Sequence, residues 1–351
     1  MRPASSCAAT ADPPLFVPRL SVLLPVRDAA ATLDACLDSL AAQTLADHEV
    51  VAVDDGSRDG SGELLRARAR SDPRLRVLCT PPRGLVPALN LALGEARAPL
   101  VARMDADDRA RRDRLTLQAE RLERDAAVDV LGCRVHLAGT AASPGEGMRA
   151  YVRWQNTLLD HDAMARDRFV ESPLVHPSVA MRTESLRRLG GWRDVGGPED
   201  YELWLRAFDA GLRFAKLAEV LLDWHDSPGR LTRTDPRYTP ARFLTLKLVW
   251  LARGPLAGGR PAVVWGAGPV GKGWSRALRA AGHEVRAFVE VHPRKVGSRV
   301  HGAPVVAVDE AGRLRGPLHL AAVGQRGARE RIRAEAARLG LVEGADFVAV
   351  A

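Results

Sequence analysis

From Arg19 to Asp105 the chain alternates short apolar or β-branched runs with amphipathic stretches of helical spacing. Leu20–Val26, Glu49–Val53, Leu75–Cys79 and Leu100–Met104 read as strands. Ala29–Ala42, Ser61–Arg70 and Val86–Ala96 read as the helices between them, the first carrying Leu33, Cys36, Leu37 and Leu40 on one face. This alternation constrains the fold more than any other feature, because it predicts a parallel sheet covered on both faces by helices. In such sheets ligands bind beyond the carboxyl ends of the strands. Asp54-Asp55 and Asp105-Ala106-Asp107-Asp108 both fall at those ends.

Further along, a strand is expected near Val128–Val135, then a Gly/Ser/Ala-rich loop around residues 138–147 and a strand-like Pro173–Met181. Helices are expected over Thr183–Leu189, with Thr183 as N-cap, over Glu199–Ala210 and over Arg237–Arg253. Gly254-Pro255-Leu256-Ala257-Gly258-Gly259 is the clearest break, and a second α/β pattern begins at Ala262–Trp265. The expected organisation is a disordered lead-in (1–18), a first α/β domain (19–235), a helical linker (236–259) and a second, smaller α/β domain (260–351).

The net charge of +8 comes mainly from arginines interspersed with Asp and Glu, a pattern of solvated helix faces that argues against a nucleic-acid partner. The four cysteines are widely spaced, without the clustering of a zinc site or disulfide framework. Cys36, Cys79 and Cys133 sit in apolar segments as core residues. The first residues lack the apolar run of a signal peptide, and nowhere is there a stretch of about 18 apolar residues. A cytoplasmic location is the expectation. Phe243–Leu251, flanked by Arg242 and Arg253, reads as a buried linker helix, with peripheral contact at the inner face of a membrane as the alternative.

Aspartates at a strand end suit a hard divalent cation, Mg²⁺ or Mn²⁺, which keeps open positions for phosphate oxygens. In the Asp105–Asp108 segment the first and third residues of an extended turn project the same way. A helix N-cap at Asp107 or Asp108 is the plainer alternative. Here the sequence resembles the inverting family 2 glycosyltransferases of GT-A fold over roughly residues 19–235. The residues carrying the resemblance are Leu23-Leu24-Pro25-Val26-Arg27-Asp28, Val53-Asp54-Asp55-Gly56-Ser57-Arg58-Asp59-Gly60, Arg83-Gly84-Leu85, Ala88-Leu89-Asn90, Arg103-Met104-Asp105-Ala106-Asp107-Asp108 and Glu199-Asp200-Tyr201-Glu202-Leu203-Trp204.

The resemblance implies roles. Pro25, Val26, Asp54 and Asp55 would line a nucleobase pocket, Arg83 would approach the base or diphosphate, and Asp105 the ribose. Asp107 would hold the metal and Asp108 cap a helix. Asp200 would be the general base, kept ionised by the helix dipole, with Glu199 beside it on the substrate side. His225 is expected near the metal, as ligand or as ordinary polar residue. His176 would order the acceptor loop. Trp192 and Trp204 would form either an acceptor wall or core. The donor would be a UDP-, GDP- or dTDP-sugar and the acceptor a glycan, a lipid-linked saccharide or a small molecule, in cell-surface polysaccharide biosynthesis. The Gln-x-x-Arg-Trp motif and membrane helices of processive synthases are missing, which implies transfer of single sugars.

In the second domain Gly266-Ala267-Gly268-Pro269-Val270-Gly271 follows a strand and opens a helix, with Glu290 roughly twenty residues on. This resembles small Rossmann-like domains attached to sugar-modifying enzymes. A dinucleotide on Gly266, Gly268, Gly271 and Glu290 is one expectation, a vestigial pocket in a regulatory or assembly module the other. All tyrosines and cysteines lie upstream, which disfavours redox chemistry there. The alternatives to glycosyl transfer are an NAD(P)-dependent oxidoreductase and a non-catalytic sugar-nucleotide sensor.

Overall fold

The structure is a computed structural model describing residues 17–139, 145–227 and 229–351. The expected lead-in lies almost wholly outside the described residues, as does the middle of the 138–147 loop. The first unit begins β1 (Leu20–Val26), α1 (Ala30–Ala41), β2 (His48–Asp54), α2 (Ser61–Ala69), β3 (Leu75–Cys79), α3 (Leu85–Glu95) and β4 (Leu100–Arg103). Next come β5 (Arg109–Ala110), α4 (Arg114–Arg124), β6 (Val130–Gly139), α5 (Glu146–Gln155), α6 (His161–Asp167), β7 (Ala180–Arg182), α7 (Thr183–Arg188), α8 (Glu199–Asp209) and β8 (Phe214–Asp226). The early elements fall within a residue or two of expectation.

The sheet order is β3-β2-β1-β4-β7-β6-β8-β5. Strands β1 to β4 are parallel, Leu20–Val26 pairing with His48–Asp54 and Leu23 with Arg103. The chain moves from β1 outward to β2 and β3, then crosses back to β4 on the other side. That reversal opens a crevice at the carboxyl ends of β1 and β4, where doubly wound sheets take ligands. The all-parallel expectation needs correcting, because β7 runs antiparallel to both β4 and β6. Two apolar clusters cover the two faces, one around Leu24, Leu33, Leu115 and Leu131, the other around Leu23, Leu89, Leu186 and Trp204.

Smaller departures have local causes. Thr183 is no N-cap: it is the first residue of α7, and its hydroxyl donates to the Ala98 carbonyl at 2.7 Å. Pro173–Met181 contains a single 3₁₀ turn, His176–Ser178, before the short β7. Cys36 and Cys133 are buried, but Cys79, at the end of edge strand β3, is exposed and not core.

After β8 come α9 (Leu231–Thr234) and α10 (Pro240–Arg253), the latter starting three residues later than expected because Asp235 caps a separate turn at 236–238. The second unit comprises β9 (Ala262–Trp265), α11 (Pro269–Ala280), β10 (Val285–Val289), β11 (Arg299–Val300), β12 (Ala303–Val306), α12 (Val308–Ala311), β13 (Leu318–Ala321), α13 (Ala328–Arg338) and β14 (Phe347–Ala349). Its strands lie in the order β11-β12-β10-β9-β13-β14, parallel except for edge strand β11.

Helix α10 is a shared core element and not a free spacer. Its Leu246, Leu248, Trp250 and Leu251 pack in one cluster with Tyr201 and Leu205 of α8 and with Val264 and Phe288 of the second sheet. Most of its apolar surface is therefore used internally, as the buried-helix reading expects. Among the described residues no helix is long and apolar enough to cross a membrane. The buried Asp167 of α6 ties the units further, receiving Trp154 at 3.1 Å and the guanidinium of Arg333 from α13. Removing it leaves half-buried arginines without their counter-charge. Asp167→Ala is expected to cost about 3 kcal/mol in denaturant unfolding.

Candidate active site

The carboxyl end of β2 holds the first acidic pair. Asp54 Oδ1 accepts from the Ser57 amide at 2.9 Å, closing the turn that leads into α2. Asp55 is buried and accepts from the amides of Arg83 and Gly84 at 2.7 and 2.9 Å. The Arg27 guanidinium reaches it at 3.3 Å. Gly84 sits at φ +97°, a left-handed value that favours glycine and turns its amide toward Asp55. Asp55 thus fastens the 80–84 loop over the end of β2, and Arg83 contributes its backbone to that fastening. Of the other expected pocket residues, Pro25 is partly exposed, whereas the Val26 side chain is 1% exposed and belongs to the core. That corrects its expected role as a lining side chain. Asp55→Ala should cost roughly 1–3 kcal/mol in thermal or denaturant unfolding, the penalty for two stranded amides.

The second acidic group follows β4. Asp105, Asp107 and Asp108 each offer an oxygen within 4.8 Å of the others, the one such group of ligating side chains among the described residues. Asp105 and Asp107 are partly exposed and Asp108 is buried. Asp108 does not cap a helix, contrary to expectation. Arg109–Ala110 beyond it form β5, paired with Leu222 and Asp223 of β8, and Asp108 Oδ1 accepts from the His225 amide at 2.7 Å. Its other oxygen is buried without a partner.

Crowding shows in the acidity of Asp107 and Asp108. Burial, then the charge of Asp105, pushes Asp107 up to about 6. Burial, with Asp105 and Asp107, raises Asp108 well above the ordinary carboxylate range. A divalent cation would offset both effects and take up the unpartnered oxygen, so the residues present fit such an ion. His225 does not join the carboxylate group. It serves through its backbone, its half-buried ring leaves Nδ1 without a partner, and burial lowers its pKa.

Two arginines to which the sequence reading gave no role flank the cluster. Arg103, the last residue of β4, is buried and paired with Asp105; burial opposes its charge, but Asp105 outweighs it, with Glu199 and Asp108 adding. Arg230 stacks its guanidinium 4.0 Å over the Trp224 ring, and its charge opposes the rise of both Asp107 and Asp108. A buried cation ending an otherwise apolar strand was a legible signal for Arg103. Nothing local marks Arg230.

The third acidic pair opens α8. Asp200 is partly exposed and accepts from the Tyr201 amide at 2.7 Å. The expectation that a helix dipole keeps it ionised is corrected: burial, then the charge of Glu199, pushes it up to about 8. Arg103 opposes that rise, which links this pair electrostatically to the β4 cluster. Glu199 is 2% exposed and bonded within the protein, and Trp204 is 1% exposed and packs in the core beside His176 and Phe214. Neither presents the substrate surface expected of it. Trp192 is likewise buried.

In the second unit the glycines behave as a tight strand–helix turn. A Cβ on Gly271 would lie 1.8 Å from the Gly266 carbonyl, so only glycine lets α11 approach β9 this closely. Glu290, however, turns inward. It accepts from the Ala267 amide at 3.2 Å and from Lys295 at 2.9 Å, contacts that engage the carboxylate expected to bind a dinucleotide.

Comparison with known proteins agrees with the first unit. The sequence model of glycosyl transferase family 2 matches residues 21–190. The chain is 35% identical over 204 residues to the uncharacterized glycosyltransferase EpsJ of Bacillus subtilis, covering 57% of this chain and 54% of that protein. It is 31% identical over 191 residues to the amylovoran biosynthesis glycosyltransferase AmsE of Erwinia amylovora, covering 54% of this chain and 69% of that one. It is 28% identical over 210 residues to the UDP-Gal:alpha-D-GlcNAc-diphosphoundecaprenol beta-1,3-galactosyltransferase of Escherichia coli, with 59% and 74% covered. The chain thus spans about half the length of the Bacillus relative. In fold it is similar to the mannosyltransferase PcManGT of Pyrobaculum calidifontis, solved with GDP-Man and Mn²⁺, at a TM-score of 0.52 and 21% identity over 78% of this chain and 77% of that one. It is similar also to S. aureus TarS in complex with UDP-GlcNAc, at 0.50 and 19%, covering 68% of each chain. The chain belongs to glycosyltransferase family 2 through a domain of GT-A type, which a second α/β sheet follows.

Proposed function

We propose that this enzyme transfers a single sugar from a nucleoside-diphosphate sugar to an acceptor hydroxyl, with inversion and with a divalent cation, in the synthesis of a polysaccharide or glycoconjugate. The observation that carries this is the crowded Asp105–Asp107–Asp108 group, with one buried oxygen unpartnered, in the crevice beside β1. Asp107 and Asp108 would hold the cation, which would neutralise charge on the departing diphosphate. Pro25 and the loop fastened by Asp55 would bound the nucleobase, and Asp105, positioned by Arg103, would meet the ribose.

Asp200 takes the acceptor proton. The acceptor oxygen then bonds to the anomeric carbon as the bond to the diphosphate oxygen breaks on the opposite face, which inverts that carbon. A carboxyl titrating at about 8 suits this work, since a base is most effective when its pKa lies near the working pH. The named relatives support a glycan or lipid-linked acceptor, because the Escherichia coli protein is named for a diphosphoundecaprenol-linked one.

For the second unit, the parallel order β12-β10-β9-β13-β14 and the turn at Gly266 support a Rossmann-like reading. The inward-bonded Glu290 favours a regulatory or assembly role over a dinucleotide site. Incubating the protein with UDP-, GDP- and dTDP-sugars should release nucleoside diphosphate from one donor class, with loss on chelation and recovery on adding Mn²⁺. Equal release in chelator would overturn the metal's part in the proposal.

A further inference from the structure

Glu199 stands next to the base in sequence, yet its carboxylate faces the protein. Tyr238, in the turn between α9 and α10, donates its hydroxyl to Glu199 Oε2 at 2.6 Å. His176 Nδ1 lies 3.6 Å from the other oxygen. The second ring nitrogen, Nε2, accepts from the Trp192 indole at 2.9 Å. A neutral His176 therefore carries its proton on Nδ1, facing Glu199. Trp192 is itself pinned, since Asn90 of α3 accepts from its amide and donates to its carbonyl, both at 2.9 Å. Gly191 makes that possible: a Cβ there would lie 2.3 Å from the Asn90 side-chain oxygen. Side chains from the 3₁₀ turn and the segment after β8 thus meet at one buried carboxylate, with Trp192 and Asn90 behind the histidine.

We propose that Glu199 is a positioning residue and not a substrate ligand: a fixed negative charge, clamped by Tyr238 and the His176–Trp192 pair against the adjacent Asp200, that strengthens Asp200 as a proton acceptor. The inference rests on reading Asp200 as the base. Burial opposes ionisation of Glu199, but His176 and Tyr238 outweigh it and hold the carboxyl below its ordinary value. The charge so maintained is the largest contribution after burial to the raised pKa of Asp200. The other groups facing Asp200 are Arg103 from β4, Glu171 from the segment after α6, and the Tyr151, Tyr201 and Tyr238 side chains. Arg103 and Arg237 also feel the charge of Glu199. All of these groups are retained in a Glu199→Gln variant, which keeps the shape of the side chain and removes its charge.

The test is the pH profile of kcat/KM on the full chain. Glu199→Gln should stay active, with its acid limb moved to lower pH by about one unit or more and a plateau lower by about tenfold or less, as expected of a weaker base. Tyr238→Phe should move the limb in the same direction by less. A folded Glu199→Gln protein with no activity, or with an unmoved acid limb, overturns the inference. If Glu199→Gln does not fold, Tyr238→Phe decides: a shifted limb supports the clamp, and a profile superimposable on wild type overturns it. Asp200→Asn separates the two layers, because an Asp200→Asn enzyme that keeps the wild-type limb sinks the base assignment itself.

Discussion

Asp200→Asn is expected to lower kcat by about 10²–10⁴-fold, the usual weight of a positioned general base, while the protein remains folded. The same substitution should raise thermal stability at alkaline pH. In the folded protein Asp200 is pushed up to about 8 from the ordinary 3.8 of an aspartate. Its contribution to stability is therefore complete below about pH 4 and lost as pH rises through about 8. Asparagine has no such loss. The variant and wild type should melt together near pH 4, and the variant should melt several degrees higher above pH 8. Circular dichroism melts across that range check the second effect, and initial rates with the active donor check the first. Full activity in the variant would remove Asp200 from the mechanism.

The second large effect belongs to Asp107. Asp107→Asn keeps the size and polarity of the side chain but withdraws one of three crowded charges, so the fold should tolerate it or gain slightly. Transfer should fall by about 10²–10³-fold, on the scale of losing electrostatic stabilisation of a leaving group. The rise in melting temperature given by Mn²⁺ together with nucleoside diphosphate should disappear. Activity at the wild-type level at saturating Mn²⁺ would move the cation elsewhere. Asp108 differs from Asp107 in that one oxygen is already committed to the His225 amide. Asp108→Asn should therefore also loosen the junction of β5 and β8.

Much of this architecture was legible in the chain because its signals are local. The strands β1, β2, β3 and β9 end where the apolar runs end, and the acidic pairs follow them as the alternation of elements requires. What the sequence hid depends on distant partners. Strand β7 has three residues, too few to announce its direction, and it reverses only because β4 and β6 flank it. Val26 and Trp204 sit inside matching motifs, yet their side chains face the core, a choice made by sheet packing and by the facing helices. Tyr238 meets Glu199 across 39 positions, and Asp108 meets His225 across 117, so no spacing rule connects them. Arg230 is placed by its stacking on Trp224. Glu290 illustrates the converse: the fingerprint around it is present, but Lys295, five residues on, takes up its carboxylate.

The central claim is that Asp107 and Asp108, beside Asp105, hold a divalent cation that carries the donor's diphosphate. Calorimetric titration of UDP and GDP into the wild-type protein, with Mn²⁺ and with chelator, tests it most directly. The account predicts that one of the two binds at least about tenfold tighter with Mn²⁺, a difference of about 1.4 kcal/mol, and that Asp107→Asn abolishes the gain. Equal affinity with and without the metal, or an undiminished gain in Asp107→Asn, would contradict it.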